Sequence, residues 1–207
     1  MKLPVRTVQR LSRYRRLLLK YRYLEEPHIY SHDLARMCNL KPVQVRRDLM
    51  LIGSSGNHRK GYNVNELIKL ITENIDTPEG QRVCIIGMGK LAQAITHYLQ
   101  EHEIFQNIVA TFDIDPVKVG KQIDNIPCYD IRQLGNIIEK EKISMAVLTV
   151  PSDFATSITQ ILINSGINGI LNFTSISLKV PEGIYVRDFN IINTLEEIAY
   201  FVKNKDI

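Results

Sequence analysis

The chain has 207 residues, 44% of them hydrophobic and 23% charged, the make-up of a globular protein with room for one large domain or two small ones. No apolar run reaches the length of a membrane-spanning helix, and arginines break up the opening "MKLPVRTVQRLSRYRR", where a signal peptide requires an uninterrupted apolar stretch. Three widely spaced cysteines, Cys38, Cys84 and Cys128, argue against a disulfide framework or a zinc site and read as small buried hydrophobes of a protein kept in the reducing cytoplasm, with no metal site expected.

The net charge of +4 is unevenly placed. Residues 1–79 carry 15 Lys and Arg against 8 Asp and Glu, whereas residues 80–207 carry 11 against 14. The first 22 residues hold eight basic groups and no acid. Such asymmetry suggests an amino-terminal part built for a polyanion, although a solvated basic face would carry the same charge. The polar Pro/Gly stretch "NIDTPEGQR", residues 74–82, marks the boundary.

Pro4 is placed to start a first helix, in which Val8, Leu11, Tyr14, Leu18 and Tyr21 recur at spacings of three and four. That stripe faces a core and leaves Arg10, Arg13, Arg16 and Lys20 around the rest of the cylinder, until "EEP" ends the helix. Ser31 is a good N-cap for a short helix, "HDLARMC", followed by a tight turn, "NLK". Pro42 opens the next helix, "PVQVRRDLMLI", with Val45, Leu49 and Ile52 pointing inward. Lys41, Gln44 and Arg47 fall on another face, flanked by Arg46.

Helix, short turn and helix, with an amide and guanidinium groups on the outer face of the second, is the plan of a major-groove reader. The following loop, "GSSGNHRKGY" at 53–62, has a basic tip of His58, Arg59 and Lys60 and reads as a wing for a minor groove or for phosphates. Asn63 and Glu66 form a capping pair that opens a closing helix, "VNELIKLITENI". In this order the features predict a winged-helix DNA-binding domain over residues 1–77.

The second part begins with a β-rich apolar run, "RVCIIG", and continues as an amphipathic helix with Leu91, Ile95 and Leu99 on its buried face and Tyr98 beside them. Gly87, Gly89 and Ala92 fit the G-x-G-x-x-G/A fingerprint between strand and helix. The first glycine permits the turn, the second admits a pyrophosphate to the backbone, and the small third residue lets helix and strand pack. Alone, that pattern is equally a tight turn. As a cradle it spans Gly87, Met88, Gly89, Lys90, Leu91, Ala92, Gln93 and Ala94, with the helix-start amides facing the phosphates.

Asp113 ends the next strand, "IVATFDID", 26 residues after Gly87. An acid there accepts hydrogen bonds from ribose hydroxyls, the alternative being a simple cap on the turn before Pro116. The absence of a neighbouring basic residue favours NAD over NADP. Alternation continues through a helical stretch at 131–141, the strand "SMAVLTV", the helix "SDFATSITQILINSG" and the strand "GILNFT". This predicts a Rossmann-like, doubly wound parallel α/β domain over 78–188, whose crevice floor takes Thr149, Val150, Pro151 and Asn172 from strand ends.

The stretches "VQVRRDL", "GYNV", "IIGMGKLA", "FDIDPVKVG", "LTVP" and "GILNF", in that order, carry a resemblance to the Rex family of bacterial redox-sensing transcriptional repressors, running from about Leu3 to Phe201. The resemblance implies an amino-terminal winged helix, a Rossmann domain binding NAD(H), and a homodimer whose carboxyl-terminal helix, here within 189–207, swaps onto the partner. It implies repression of anaerobic and fermentative genes through palindromic operator DNA, with NADH releasing the repressor and NAD+ competing without release.

By the same resemblance Arg46 and Arg47 match recognition-helix basics, Asp113 the ribose acid, and Arg16 and Tyr98 a switching network. The swapped helix corresponds to "IINTLEEIAYFV", with an apolar stripe of Ile192, Leu195, Ile198, Ala199 and Val202. The chain departs from the family in three places. The wing reads Gly56-Asn57-His58-Arg59-Lys60-Gly61-Tyr62 where G-T-R-G-x-G-Y is usual, so its charge is shifted one place; Tyr98 is followed by "LQE" rather than Pro-Gly-Phe, and Asn190 stands where the network has an aspartate. Two other readings remain: an NAD-dependent dehydrogenase with a helical appendage, and a nucleotide-sensing transporter subunit. The first lacks room for a substrate domain in 128 residues, and the second leaves the basic helix and wing unexplained. The expectation is therefore a regulator rather than an enzyme.

Overall fold

The computed structural model describes residues 2–23, 27–57, 59–76, 80–100 and 108–204. The chain divides into two compact units, Met1–Gly80 and Gln81–Ile207.

The first unit runs α1 (Val5–Leu19), β1 (His28–Ile29), α2 (Ser31–Cys38), α3 (Pro42–Leu51), β2 (Tyr62–Asn63) and α4 (Val64–Ile75). Its core gathers Leu11, Tyr14 and Leu18 of α1, Leu34 of α2, Val45 and Leu49 of α3, and Leu67 and Ile71 of α4. Two expectations shift here. The buried stripe of α1 includes Thr7 in place of Val8, which is 37% exposed, so the face that meets α3 is partly polar. Tyr30 rather than Ser31 occupies the N-cap of α2, and Ser31 accepts a hydrogen bond from Arg46 at 3.2 Å. Asn63 caps α4 as its spacing predicts, accepting from the Glu66 N–H at 3.1 Å. The antiparallel pairing of β1 with β2, Ile29 opposite Tyr62, closes the base of the wing.

The second unit runs β3 (Val83–Ile86), α5 (Lys90–Gln100), β4 (Ile108–Asp113), β5 (Gln122–Ile123), β6 (Ile126–Asp130), α6 (Leu134–Lys140), β7 (Met145–Leu148), α7 (Ser152–Asn164), β8 (Gly169–Asn172), β9 (Tyr185–Asp188) and α8 (Ile191–Asn204). The sheet order is β5-β6-β4-β3-β7-β8-β9, and only the β5–β6 edge pair is antiparallel. From β6 to β9 this is the doubly wound Rossmann order, which reverses direction between β3 and β7. The stretch expected as one helix at 131–141 begins instead with a single 3-10 turn at Ile131–Gln133, capped by Asp130.

β3 is buried along its whole length, as a central parallel strand must be. The face of α5 that packs on the sheet carries Ala92 and Thr96, both fully buried, whereas Leu91 is 43% exposed. Small residues win there because the helix approaches the strand closely behind the glycine turn. All three cysteines are buried free thiols, and burial pushes Cys84 up to about 12.

Candidate functional site

On the first unit, α3 presents Val43, Arg46, Arg47 and Met50 outward. Lys41 is its exposed N-cap residue, and Arg13 and Arg16 lie exposed on α1. The wing closes through an Asn57–Gly61 bridge, with the Asn57 side-chain oxygen accepting the N–H groups of Arg59 (2.7 Å) and Lys60 (3.2 Å). The Tyr30 hydroxyl donates to the Arg59 carbonyl at 2.6 Å. Gly61 adopts φ +77°, and a Cβ there would lie 2.6 Å from the Ile29 carbonyl oxygen, so the turn requires glycine. Asn57, a departure from the family wing, is thus the residue that organises the tip and presents Arg59 and Lys60. His58 lies outside the described residues.

Arg10 and Gln44 are placed differently from the expectation. Asp48 of α3 is fully buried, and Arg10 grips it through Nε at 2.6 Å and Nη2 at 2.7 Å. Tyr14 donates its hydroxyl at 2.9 Å and Gln44 its amide at 3.0 Å. Burial alone would raise the Asp48 carboxyl, but hydrogen bonds from Arg10, Tyr14 and Gln44 outweigh it and hold the group below its usual range. Two groups expected on the DNA face therefore serve an α1–α3 clamp. Asp48 was missed, although its place three residues after the inward Val45 put it on the buried phase of the helix.

On the second unit, Gly87 turns the chain out of β3 at φ +87°. A Cβ there would meet Val150 Cγ1 at 2.9 Å and the Thr149 carbonyl oxygen at 3.1 Å, so the floor residues expected from β7 do lie against the turn. The Thr149 hydroxyl lies 2.8 Å from the carbonyl oxygens of both Ile86 and Gly87. Gly89 has nothing within 4 Å of its would-be Cβ. The amides of Gly89, Lys90 and Leu91 thus open α5 beside open space, at the helix end where donors are left unspent and negative charge is favoured. Met88 is buried, and Gln93 reaches back to its carbonyl oxygen at 3.2 Å, while Ala94 and Lys90 are exposed.

Asp113 sits at the end of β4 and accepts four donors: Met88 N–H (2.8 Å), Ile114 N–H (2.8 Å), Asp115 N–H (2.9 Å) and Lys118 Nζ (3.0 Å). Burial pushes its carboxyl up, but the Asp115 amide, Lys118 and the Met88 amide outweigh that and hold it low. The expectation that no basic residue neighbours Asp113 is corrected by Lys118. The signal was present, since Lys118 follows Asp113 by five residues, in the turn that Asp115 caps.

Asn172 is likewise corrected. It lies fully buried at the end of β8, where its amide donates to Asp188 (2.7 Å) and its oxygen accepts from the Thr174 hydroxyl (2.7 Å), so it anchors a loop rather than flooring a crevice. Pro151 is the exposed N-cap of α7. Asn190 accepts the Asn193 N–H at 3.1 Å at the start of α8, and Tyr98 lies half-exposed on α5. Every side chain of α8 from Ile191 to Lys203 is exposed. Among the described residues there is no His/Cys/Asp/Glu cluster fit for a metal, and no helix long and apolar enough to cross a membrane.

A winged helix joined to a Rossmann unit with a glycine cradle defines the class of transcription regulators that carry a nucleotide-binding domain. Comparison with known proteins narrows this. Residues 2–49 match the family described as "Putative DNA-binding protein N-terminus", and residues 79–176 that described as "CoA binding domain". The chain is 34% identical to the redox-sensing transcriptional repressor Rex of Bacillus licheniformis, covering 98% of this chain and 94% of that one. It is 35% identical to Rex of Geobacillus sp. (strain WCH70), covering 97% and 93%. Among solved structures, RSP, a Rex-family repressor, in complex with β-NAD+ and operator DNA matches with TM-score 0.88 and 29% identity, covering all of this chain and 95% of that one. RSP in complex with β-NADH matches with TM-score 0.83 and 28% identity, covering all of this chain and 97% of that one. The chain belongs to the Rex family of redox-sensing transcriptional repressors.

Proposed function

We propose that this repressor binds operator DNA through α3 and the wing and is released when NADH occupies the Rossmann unit. The observation that carries the reading is the open glycine turn, with Asp113 beside it, in the same chain as an arginine-bearing recognition helix. The DNA contacts are Arg13, Arg16, Lys41, Arg46, Arg47, Arg59 and Lys60. The dinucleotide lies across Gly87–Leu91 with its pyrophosphate on the α5 amides, Asp113 and Lys118 at the ribose, and Val150 below. Support comes from RSP, a relative that matches over the whole chain and is described with operator DNA and with both redox forms of the cofactor. Coenzyme A and NAD share an adenine nucleotide with a pyrophosphate, so the second family match fits the same cradle.

The protein acts as a homodimer through α8, whose Ile191, Ile192, Leu195, Ile198 and Val202 are 50–66% exposed and form a face that water disfavours. It works in the cytoplasm and catalyses no reaction. Reduced nicotinamide is neutral and the oxidised ring is cationic, so a site that withholds counter-charge favours NADH. To release DNA, NADH must bind the released state more tightly than the DNA-bound one. Selection from random duplexes, repeated with NADH, tests the reading: a palindromic site should emerge without cofactor and be lost with it. Emergence of the same site under saturating NADH would contradict it.

A further inference from the structure

The outermost line of the recognition helix is apolar where a polyanion-facing helix would be expected to carry charge. Val43, in the first turn of α3, is 64% exposed, and Met50 is 71% exposed. At about 100° per residue, Arg46 and Arg47 project on either side of that line. The polar residue that sequence would choose as a base reader is withdrawn from it, because the Gln44 amide donates to the buried Asp48 at 3.0 Å.

A single exposed valine is ordinary on a protein surface. Its position here is not, since residues in the first turn of a recognition helix are those that meet base edges. Two guanidinium groups flank it and draw this face of the helix onto DNA. In the major groove thymine is the base whose edge presents an apolar group, its C5-methyl, to a side chain of this kind.

We infer that Val43 reads the C5-methyl of a thymine in each operator half-site, and that Gln44 reads no base. The inference rests on the operator-binding reading above and names one of its specificity determinants. Val43 supplies an apolar contact, while Arg46 and Arg47 supply the electrostatic grip.

The test replaces each thymine of the selected operator, one position at a time, with deoxyuridine, which removes one methyl group and nothing else. The wild-type chain should lose about three- to fivefold in affinity at one position per half-site, the effect of one methyl returned to water. Val43→Ala should bind the thymine duplex more weakly by a similar factor and no longer distinguish uridine. Alanine is the better helix former, so this variant keeps α3. Gln44→Ala should retain the uridine effect. Tight wild-type binding indifferent to uridine at every position, or a uridine effect kept by Val43→Ala and lost by Gln44→Ala, would overturn the inference while leaving the repressor reading intact. No operator binding by the wild type at moderate salt would overturn both.

Discussion

Asp113 accepts the backbone N–H of Met88 at 2.8 Å, so the acid at the end of β4 holds the glycine turn after β3 in place. The carboxylate thereby joins two strand ends and, in the proposed complex, faces the ribose from a fixed position. Asp113→Ala should weaken NADH binding at least tenfold and destabilise the protein by about 2 kcal/mol, since charge-assisted hydrogen bonds are lost. Isothermal titration and denaturant unfolding measure the two effects. The native carboxyl is held below its unfolded value of about 3.9, so its contribution is present above that pH and is lost as pH falls through the native value. Asp113→Ala should accordingly show a shallower loss of stability on acidification.

The two glycines of the turn separate folding from binding. Gly87→Ala forces a side chain into φ +87° and into contact with Val150 Cγ1 at 2.9 Å, which should cost about 2 kcal/mol of stability. Gly89→Ala meets open space and should leave the melting temperature near that of the wild type. It should nonetheless lower NADH affinity about tenfold or more, because a methyl group stands where the pyrophosphate must approach. Thermal unfolding beside a cofactor titration distinguishes the two.

Asp48 clamps the recognition helix to α1. Arg10→Ala leaves a carboxylate of zero exposure with only neutral donors, and should cost about 3 kcal/mol. Asp48→Asn should cost less, because Arg10 remains partly open to solvent. The Asp48 carboxyl is also held low, so its stabilisation exists above the unfolded value of about 3.9 and fades as pH falls. Both variants should lose operator affinity at pH 7 while keeping NADH affinity. Unfolding curves and gel shifts on the same preparations check this.

The α8 face predicts an assembly. Leu195→Asp with Ile198→Asp places charge on residues 60% and 54% exposed, positions where an isolated chain would tolerate it. In the proposed homodimer those charges would be buried, so sedimentation equilibrium should show a shift from dimer to monomer. Helix content by circular dichroism should change little.

Much of this was legible from periodicity and punctuation. Pro42, Asn63 and Gly87 mark element boundaries through fixed φ, side-chain capping and positive φ, which are local effects. The alternation of strands and helices implied the Rossmann order, because parallel neighbours require crossovers. Side-chain partners across elements were not legible. Arg10 looked like one more surface base because its partner lies 38 residues away. Gln44 looked like a base reader until the buried Asp48 claimed its amide, and Asn172 looked like a crevice residue until Thr174 and Asp188 claimed both ends of its side chain. Ala92 packs against the strand as the fingerprint implies, whereas Leu91, expected on the buried face, is exposed, because close helix–strand approach admits a methyl group and excludes an isobutyl one.

The central claim is that the redox state of a dinucleotide bound after β3 governs whether α3 holds DNA. Its most direct test is operator occupancy measured at a fixed, saturating total of NADH plus NAD+ while their ratio is varied. Occupancy should fall steeply as the NADH fraction rises and stay high in NAD+ alone. Occupancy unchanged across the ratio, with both forms verified as bound, would contradict the account.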